Sequence, residues 1–193
     1  MIPLCCSPKI SKKISALGAR YDEKKKIFYI DNRHNRTKFH QWLPRYYRYS
    51  DKGFDVVKVY FMPKDSPAKN LKSLIGSEDF FLLKTKINEV NSGVCQFCGE
   101  IDNLWVIPVF RNNIEGKKIE QTLYSVLGGC ESCAKFSLGI YVDTKKISLL
   151  NQWSEEETMK YFLNCKKKNE NAVFEEYVVD VDKAYKLIGG SKE

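Results

Sequence analysis

Histidine is scarce in this sequence: His34 and His40 are the only two among 193 residues. Neither stands near a nucleophile or a metal-ligating partner along the chain, so both read as surface or packing residues, and histidine-centred acid–base chemistry has little to work with. Long apolar runs are missing too. None approaches the roughly 18 residues that a bilayer crossing needs. The opening Met1-Ile2-Pro3-Leu4-Cys5-Cys6 lacks the charged and apolar regions of a signal peptide. Internal repeats, low-complexity tracts and any mark of a small-molecule substrate site are absent as well. These absences lead to the expectation of a cytoplasmic protein without a membrane partner. Cysteine, by contrast, occurs seven times. An odd number without a secretion signal argues against a disulfide framework. Cys5, Cys6 and Cys165 lie outside any paired spacing and read as small core residues or idle thiols.

The other four cysteines carry the strongest pattern in the chain, C-x2-C-x31-C-x2-C, formed by Cys95, Cys98, Cys130 and Cys133. Two residues between thiols allow a tight turn to aim both sulfurs at one ion, and two such knuckles complete a closed tetrahedron. Gly99 after the first pair suits the turn. The expectation is one structural Zn²⁺, whose binding free energy becomes folding free energy. The alternative is four buried or redox-active thiols.

Charge is distributed unevenly. The net charge is +8, yet residues 1–62 hold fourteen Lys/Arg against five Asp/Glu, while the rest of the chain holds eighteen against nineteen. Eleven of the twenty-five aromatics also fall in 1–62. Basic residues interleaved with flat rings suit nucleic acid, DNA ahead of RNA. Candidate phosphate contacts are Arg20, Lys24, Lys25, Lys26, Arg33, Arg36, Lys38, Arg45 and Arg48, arranged around a strand at Tyr29. Trp42, Tyr46, Tyr47 and Tyr49 are candidates for base stacking. The opposing reading makes the lysines a solvated turn and the aromatics core.

Periodicity and turn residues predict an α+β chain in three parts: a basic unit and connector strand over 1–62, a linker over 63–78 and a cysteine domain over 79–193. In the first, Ser7-Pro8 starts a helix with Ile10, Ile14 and Leu17 on one face, and Gly18 closes it. Residues 21–24 form a turn, Lys26–Ile30 a strand and 36–43 a short helix ended by Pro44. Phe54–Met62 reads as a strand. In the last part the expected order is a helix over Asp79–Val90, a strand over Leu104–Arg111, a helix over Lys118–Leu127 ended by Gly128-Gly129, a helix from Ser154 to Lys168 and a strand over Phe174–Val181. Ser154 with Glu157 three residues on forms a capping-box sequence.

From about 85 to 185 the chain resembles the zinc-stapled HNH endonuclease-like family. The resemblance lies in Val94-Cys95-Gln96-Phe97-Cys98-Gly99, Asn103-Leu104, Gln121-Thr122-Leu123 within the expected helix, the second knuckle, Leu150-Asn151-Gln152-Trp153-Ser154-Glu155-Glu156-Glu157 and the closing Val178-Val179-Asp180-Val181. It implies a ββα-type domain with a C-terminal helix and strand. The family places a histidine and an acid after the Asn-Leu, where Ile107 and Pro108 stand here, and histidines directly after the second knuckle and four residues on, where Ala134 and Leu138 stand. Glu100, Asp102 and Glu131 form an acidic alternative near the knuckles. Residues 17–29, Leu-Gly-Ala-Arg-Tyr-Asp-Glu-Lys-Lys-Lys-Ile-Phe-Tyr, resemble the L-G-A-R-W-D-x-x-x-K-x-W-Y module of phage and plasmid DNA-processing proteins. They are also similar to the HARP repeats of fork-remodelling enzymes. The two resemblances together imply a phage or mobile-element protein in the host cytoplasm, with a nuclease-like scaffold that has lost its catalysis. Its expected partner is nucleic acid or, alternatively, a host protein complex of transcription or anti-phage defence.

Overall fold

The computed structural model describes residues 1–31, 36–44, 47, 71–115, 118–138, 143–151, 153–169, 173–178 and 186. The expected strand over 54–62, the loop with Arg33 and His34, and Arg45, Tyr46, Arg48, Tyr49 and Val179–Val181 lie outside the described residues. Among those described, helices and strands are mixed, and the strands make two three-stranded sheets. Among the described residues, no helix is long and apolar enough to cross a membrane.

The first sheet has the order β1-β3-β2, with β1 Ile2–Pro3, β2 Arg20–Asp22 and β3 Ile27–Ile30, all antiparallel. Ahead of β2, a 3₁₀ turn at Pro8–Ile10 leads into α1, Ser11–Ala16; the Ser7 side chain caps the turn by accepting from the Lys9 amide at 3.3 Å. The expected face appears: Ile14 is buried, with Ile10 and Leu17 packed at the core's edge. The stretch 21–24 is only partly a turn. Tyr21 and Asp22 belong to β2, because Tyr21 pairs with Phe28 across the hairpin, their rings 4.9 Å apart. Asp22 Oδ1 accepts from the amides of Lys24 and Lys25, both at 3.0 Å, which folds the loop locally. A 3₁₀ helix over Arg36–Trp42 follows, with Phe39 buried beneath it.

Helical structure on the cysteine side begins inside the stretch read as linker. α2 spans Leu71–Ile75, and Leu71 is buried in the second core. α3 spans Ser77–Asn91 and turns Leu83 and Ile87 inward. Asn88 ties it to the next strand, accepting from the Leu104 amide at 2.9 Å and donating to the Leu104 carbonyl at 3.3 Å. β4, Trp105–Glu115, pairs antiparallel with β5, Lys118–Gly129, and β6, Val173–Val178, joins β5 in parallel. Pro108 sits in β4, which is an edge strand, where a missing amide donor is tolerated.

The second sheet corrects one expectation. Residues 118–127 are strand, not helix, and Gln121-Thr122-Leu123 pairs with Phe110, Arg111 and Asn112 of β4. Ile119, Thr122, Tyr124 and Val126 favour extended backbone, and as the central strand β5 is held on both edges by remote partners. The intervening Gly116-Lys117 also has the glycine-first sequence of a two-residue hairpin. Gly128 and Gly129 therefore end a strand. A Cβ on Gly128 would lie 2.8 Å from Leu104 Cδ1, and one on Gly129 2.6 Å from Ile107 Cδ1, so both positions keep room for the core.

Three further helices follow: α4 Glu131–Ser137, α5 Thr144–Asn151 and α6 Glu155–Asn169. The capping box at α6 forms in both directions. The Glu157 amide donates to Ser154 Oγ at 3.1 Å, and the Ser154 amide donates to Glu157 Oε2 at 2.7 Å. Replacing Ser154 with Ala is expected to lower stability by about 1 kcal/mol. Urea unfolding with an unchanged m-value measures it.

Candidate metal centre

The first knuckle is built by a reversal between Val94 and Ile101, which bridge across it. The Cys95 amide donates to the Glu100 carbonyl at 2.8 Å and the Gly99 amide to the Cys95 carbonyl at 2.9 Å. Gly99 has φ 78°, a conformation that side chains resist. The second knuckle is the start of α4: Cys130 is the N-cap, and Cys133 lies in the first turn. The two knuckles are joined by backbone. The Gln96 amide donates to the Gly128 carbonyl at 2.9 Å, and the Gly128 amide donates to Gln96 Oε1 at 2.6 Å. Asp102 Oδ2 accepts from the Glu131 amide at 3.3 Å.

These bonds bring the sulfurs of Cys95, Cys98, Cys130 and Cys133 within 4.8 Å of one another. The Cys98 and Cys130 sulfurs are 3.8 Å apart. A tetrahedral ion with metal–sulfur bonds of about 2.3 Å places its ligands about 3.8 Å apart. Cys95, Cys130 and Cys133 are buried and Cys98 half-buried, so a four-sulfur shell leaves no open position. The donor set fits Zn²⁺. The expected four cysteines are thus positioned together to hold a metal ion.

The surrounding electrostatics favour an anionic site. Hydrogen bonds from Cys133, Cys95 and Cys98 outweigh burial and, with Lys146, hold the Cys130 thiol far below its ordinary pKa. The mutual hydrogen bonds also hold Cys98 and Cys133 above theirs. Lys146 Nζ lies 3.0 Å from the Cys130 sulfur and pairs with Glu100. Burial works against its charge, but Glu100 and Cys130 overcome that and raise its pKa. Nothing in the sequence marked Lys146. It lies thirteen residues beyond Cys133, and only the packing of α5 against the knuckles brings it in.

Cys5 and Cys6 are core residues as expected, and burial pushes the Cys6 thiol up to about 12. They also help to join the two halves. Cys5 Sγ lies 3.7 Å from the Val94 carbonyl, and Ser92 Oγ donates to the Cys6 carbonyl. A Cβ on Gly99 would meet Tyr47, Pro3 and Pro44 at 3.1–3.2 Å, so the knuckle turn doubles as the seat of the N-terminal unit.

The candidate nucleic-acid residues fall into two groups. Arg20, Lys24, Lys25, Lys26 and Lys38 are exposed. Arg36 and Tyr29 are half-buried, Trp42 packs on the first core beneath Lys13 (Nζ 5.6 Å from the ring centre), and Tyr47 packs on the same core. Ile107, Ala134 and Leu138 are buried, as is Pro108.

A family model described as a domain of unknown function, DUF5710, matches residues 9–44, the span from the first helical turn through the second 3₁₀ helix. No curated protein and no solved structure matches the chain.

Two outcomes follow from the centre. Native protein is expected to carry one zinc per chain by elemental analysis, and Cys130→Ser to lose it together with cooperative unfolding. Lys146→Met is expected to keep the fold but weaken zinc about tenfold, read by competition with a chromophoric chelator.

Proposed function

We propose that this chain is a non-catalytic, nucleic-acid-binding zinc protein of a phage or mobile element, acting in the host cytoplasm through its N-terminal hairpin. The observation that carries the reading is the exposed group Arg20, Lys24, Lys25 and Lys26 on one short hairpin, whose Ile27 is buried in one cluster with Cys5 and Val94 at the entry to the cysteine knuckle. A rigid, metal-clamped base gives such a hairpin a fixed orientation, so its charges meet phosphates without first ordering a loop.

A degenerate HNH-like scaffold is consistent with the strand–strand–helix order of β4, β5 and α4 beside the four thiols. The places where the family carries its histidines and an acid hold Ile107, Pro108, Ala134 and Leu138, all buried. Phosphodiester hydrolysis of that type needs a water-activating base and hard-metal ligands, which apolar buried side chains do not supply. The zinc, closed in by four sulfurs, has a structural part: it ties the knuckle that seats the hairpin to the second sheet.

A second reading, a protein-interaction module acting on a host complex, is favoured by the exposure of Phe81 and Leu149, 67% and 77% respectively. Salt separates the two. Binding to duplex DNA is expected to weaken with a log–log slope near −5, for about six phosphate contacts. Substituting Lys24, Lys25 and Lys26 together with Ala is expected to make that slope shallower by about 3. No measurable affinity at about 50 mM salt, where such contacts are strong, would favour the protein partner. Mg²⁺-dependent nicking of plasmid by purified protein would overturn the non-catalytic reading.

A further inference from the structure

A cleft of about 240 Å³ opens where the first sheet meets the first cysteine knuckle. Ile27, Tyr29 and Tyr47 line one part of it, Ile101 another, and Asp22 and Lys25 supply its polar groups. We propose that this cleft receives one unstacked nucleobase bearing an exocyclic amine, presented by single-stranded nucleic acid. The inference rests on the nucleic-acid reading above and adds the form of the strand and the kind of base.

Size sets the first limit. Pockets for drug-sized ligands run to about 300–1,000 Å³, so this one has room for a flat ring and little more. Two half-buried tyrosines, Tyr29 of β3 and Tyr47, line it, and aromatic rings are the sequence-tolerant way to hold a base. The mouth is cationic. Lys25 lies at the cleft, Lys24 and Lys26 flank it in the same loop, and Arg20 stands opposite Tyr29 in the β2–β3 register, all exposed. A base entering the cleft therefore brings its phosphates among four positive charges.

Asp22 decides the kind of base. Its Oδ1 is committed to the amides of Lys24 and Lys25, which leaves Oδ2 as an acceptor beside the rings. A carboxylate oxygen accepts from an amine, as Asp or Glu does from cytosine N4. Cytosine, adenine and guanine carry that amine. Thymine and uracil lack that amine: their pairing edge has a single ring N3–H flanked by two carbonyl oxygens, which repel the carboxylate. Duplexes hide the base in the stack, which makes the single strand the substrate form.

Fluorescence anisotropy with labelled oligo(dC) and oligo(dT), on the full zinc-loaded chain, tests this directly. Oligo(dC) is expected to bind at least about fivefold more tightly than oligo(dT). Ile101 is 44% exposed, so Ile101→Trp has room to be accommodated while filling the cleft. It is expected to cost oligo(dC) about fivefold and to erase the preference. Asp22→Asn preserves the loop, since Asn makes the same turn, and is expected to reduce the preference without altering the salt slope. Zinc content and circular dichroism verify that both variants are folded; should Ile101→Trp fail that check, Asp22→Asn alone decides. Salt-sensitive binding of both strands with no preference, indifferent to the substitutions, would overturn the cleft and leave the nucleic-acid reading standing. Absence of single- and double-strand binding would remove both.

Discussion

Four sulfur atoms drawn within 4.8 Å of one another constrain everything around them. They come from two knuckles separated by thirty-one residues, so closing the tetrahedron fixes both ends of the β4–β5 hairpin at once. Buried thiolates repel each other and resist desolvation, and a divalent cation turns that cost into a bond set. Even the ion leaves two negative charges on a four-thiolate centre. Lys146, 3.0 Å from the Cys130 sulfur, is the structure's answer to that residue of charge.

The same centre organises the chain's first half. Gly99 is required once by the knuckle's backbone and again by the close approach of Pro3, Pro44 and Tyr47. The N-terminal unit is thus seated on the knuckle, and its basic hairpin joins there through Ile27, buried with Cys5 and Val94. Removing the ion would loosen the seat of the N-terminal sheet along with the second core, even though none of the four ligands lies in that sheet.

Much of this was legible in the residues. Cysteine spacing located the centre because a tight turn between paired thiols has few alternatives, and the Ser154–Glu157 box marked a helix start because its two hydrogen bonds are local. Ile10, Ile14 and Leu17 announced a helix by spacing alone. The segment 118–127 misled because its partners are remote: β4 on one side and β6, some fifty residues later, on the other. Pairing across both edges leaves no local mark in the sequence, and without a strict alternation the period does not separate strand from helix. α4 and α5 went unseen for a related reason. They are short, and what holds them is packing against the knuckles, with Ala134, Phe136 and Ile147 in the core. Lys146 and the cleft between Tyr29 and Tyr47 exist only in three dimensions, and Arg33, Arg45 and Arg48 lie outside the described residues.

The parallel strand β6 has a consequence for how the chain matures. All four ligands and both strands of the hairpin precede Val173 in the sequence, yet β5 receives its second neighbour only from Val173–Val178. During synthesis, chains fold from their N-terminal parts onward. An ion bound there would clamp the hairpin's register while one edge of β5 is still bare, and the late strand would dock on a template already set. Such an early clamp would shorten the interval in which that sticky edge could recruit a strand from another nascent copy.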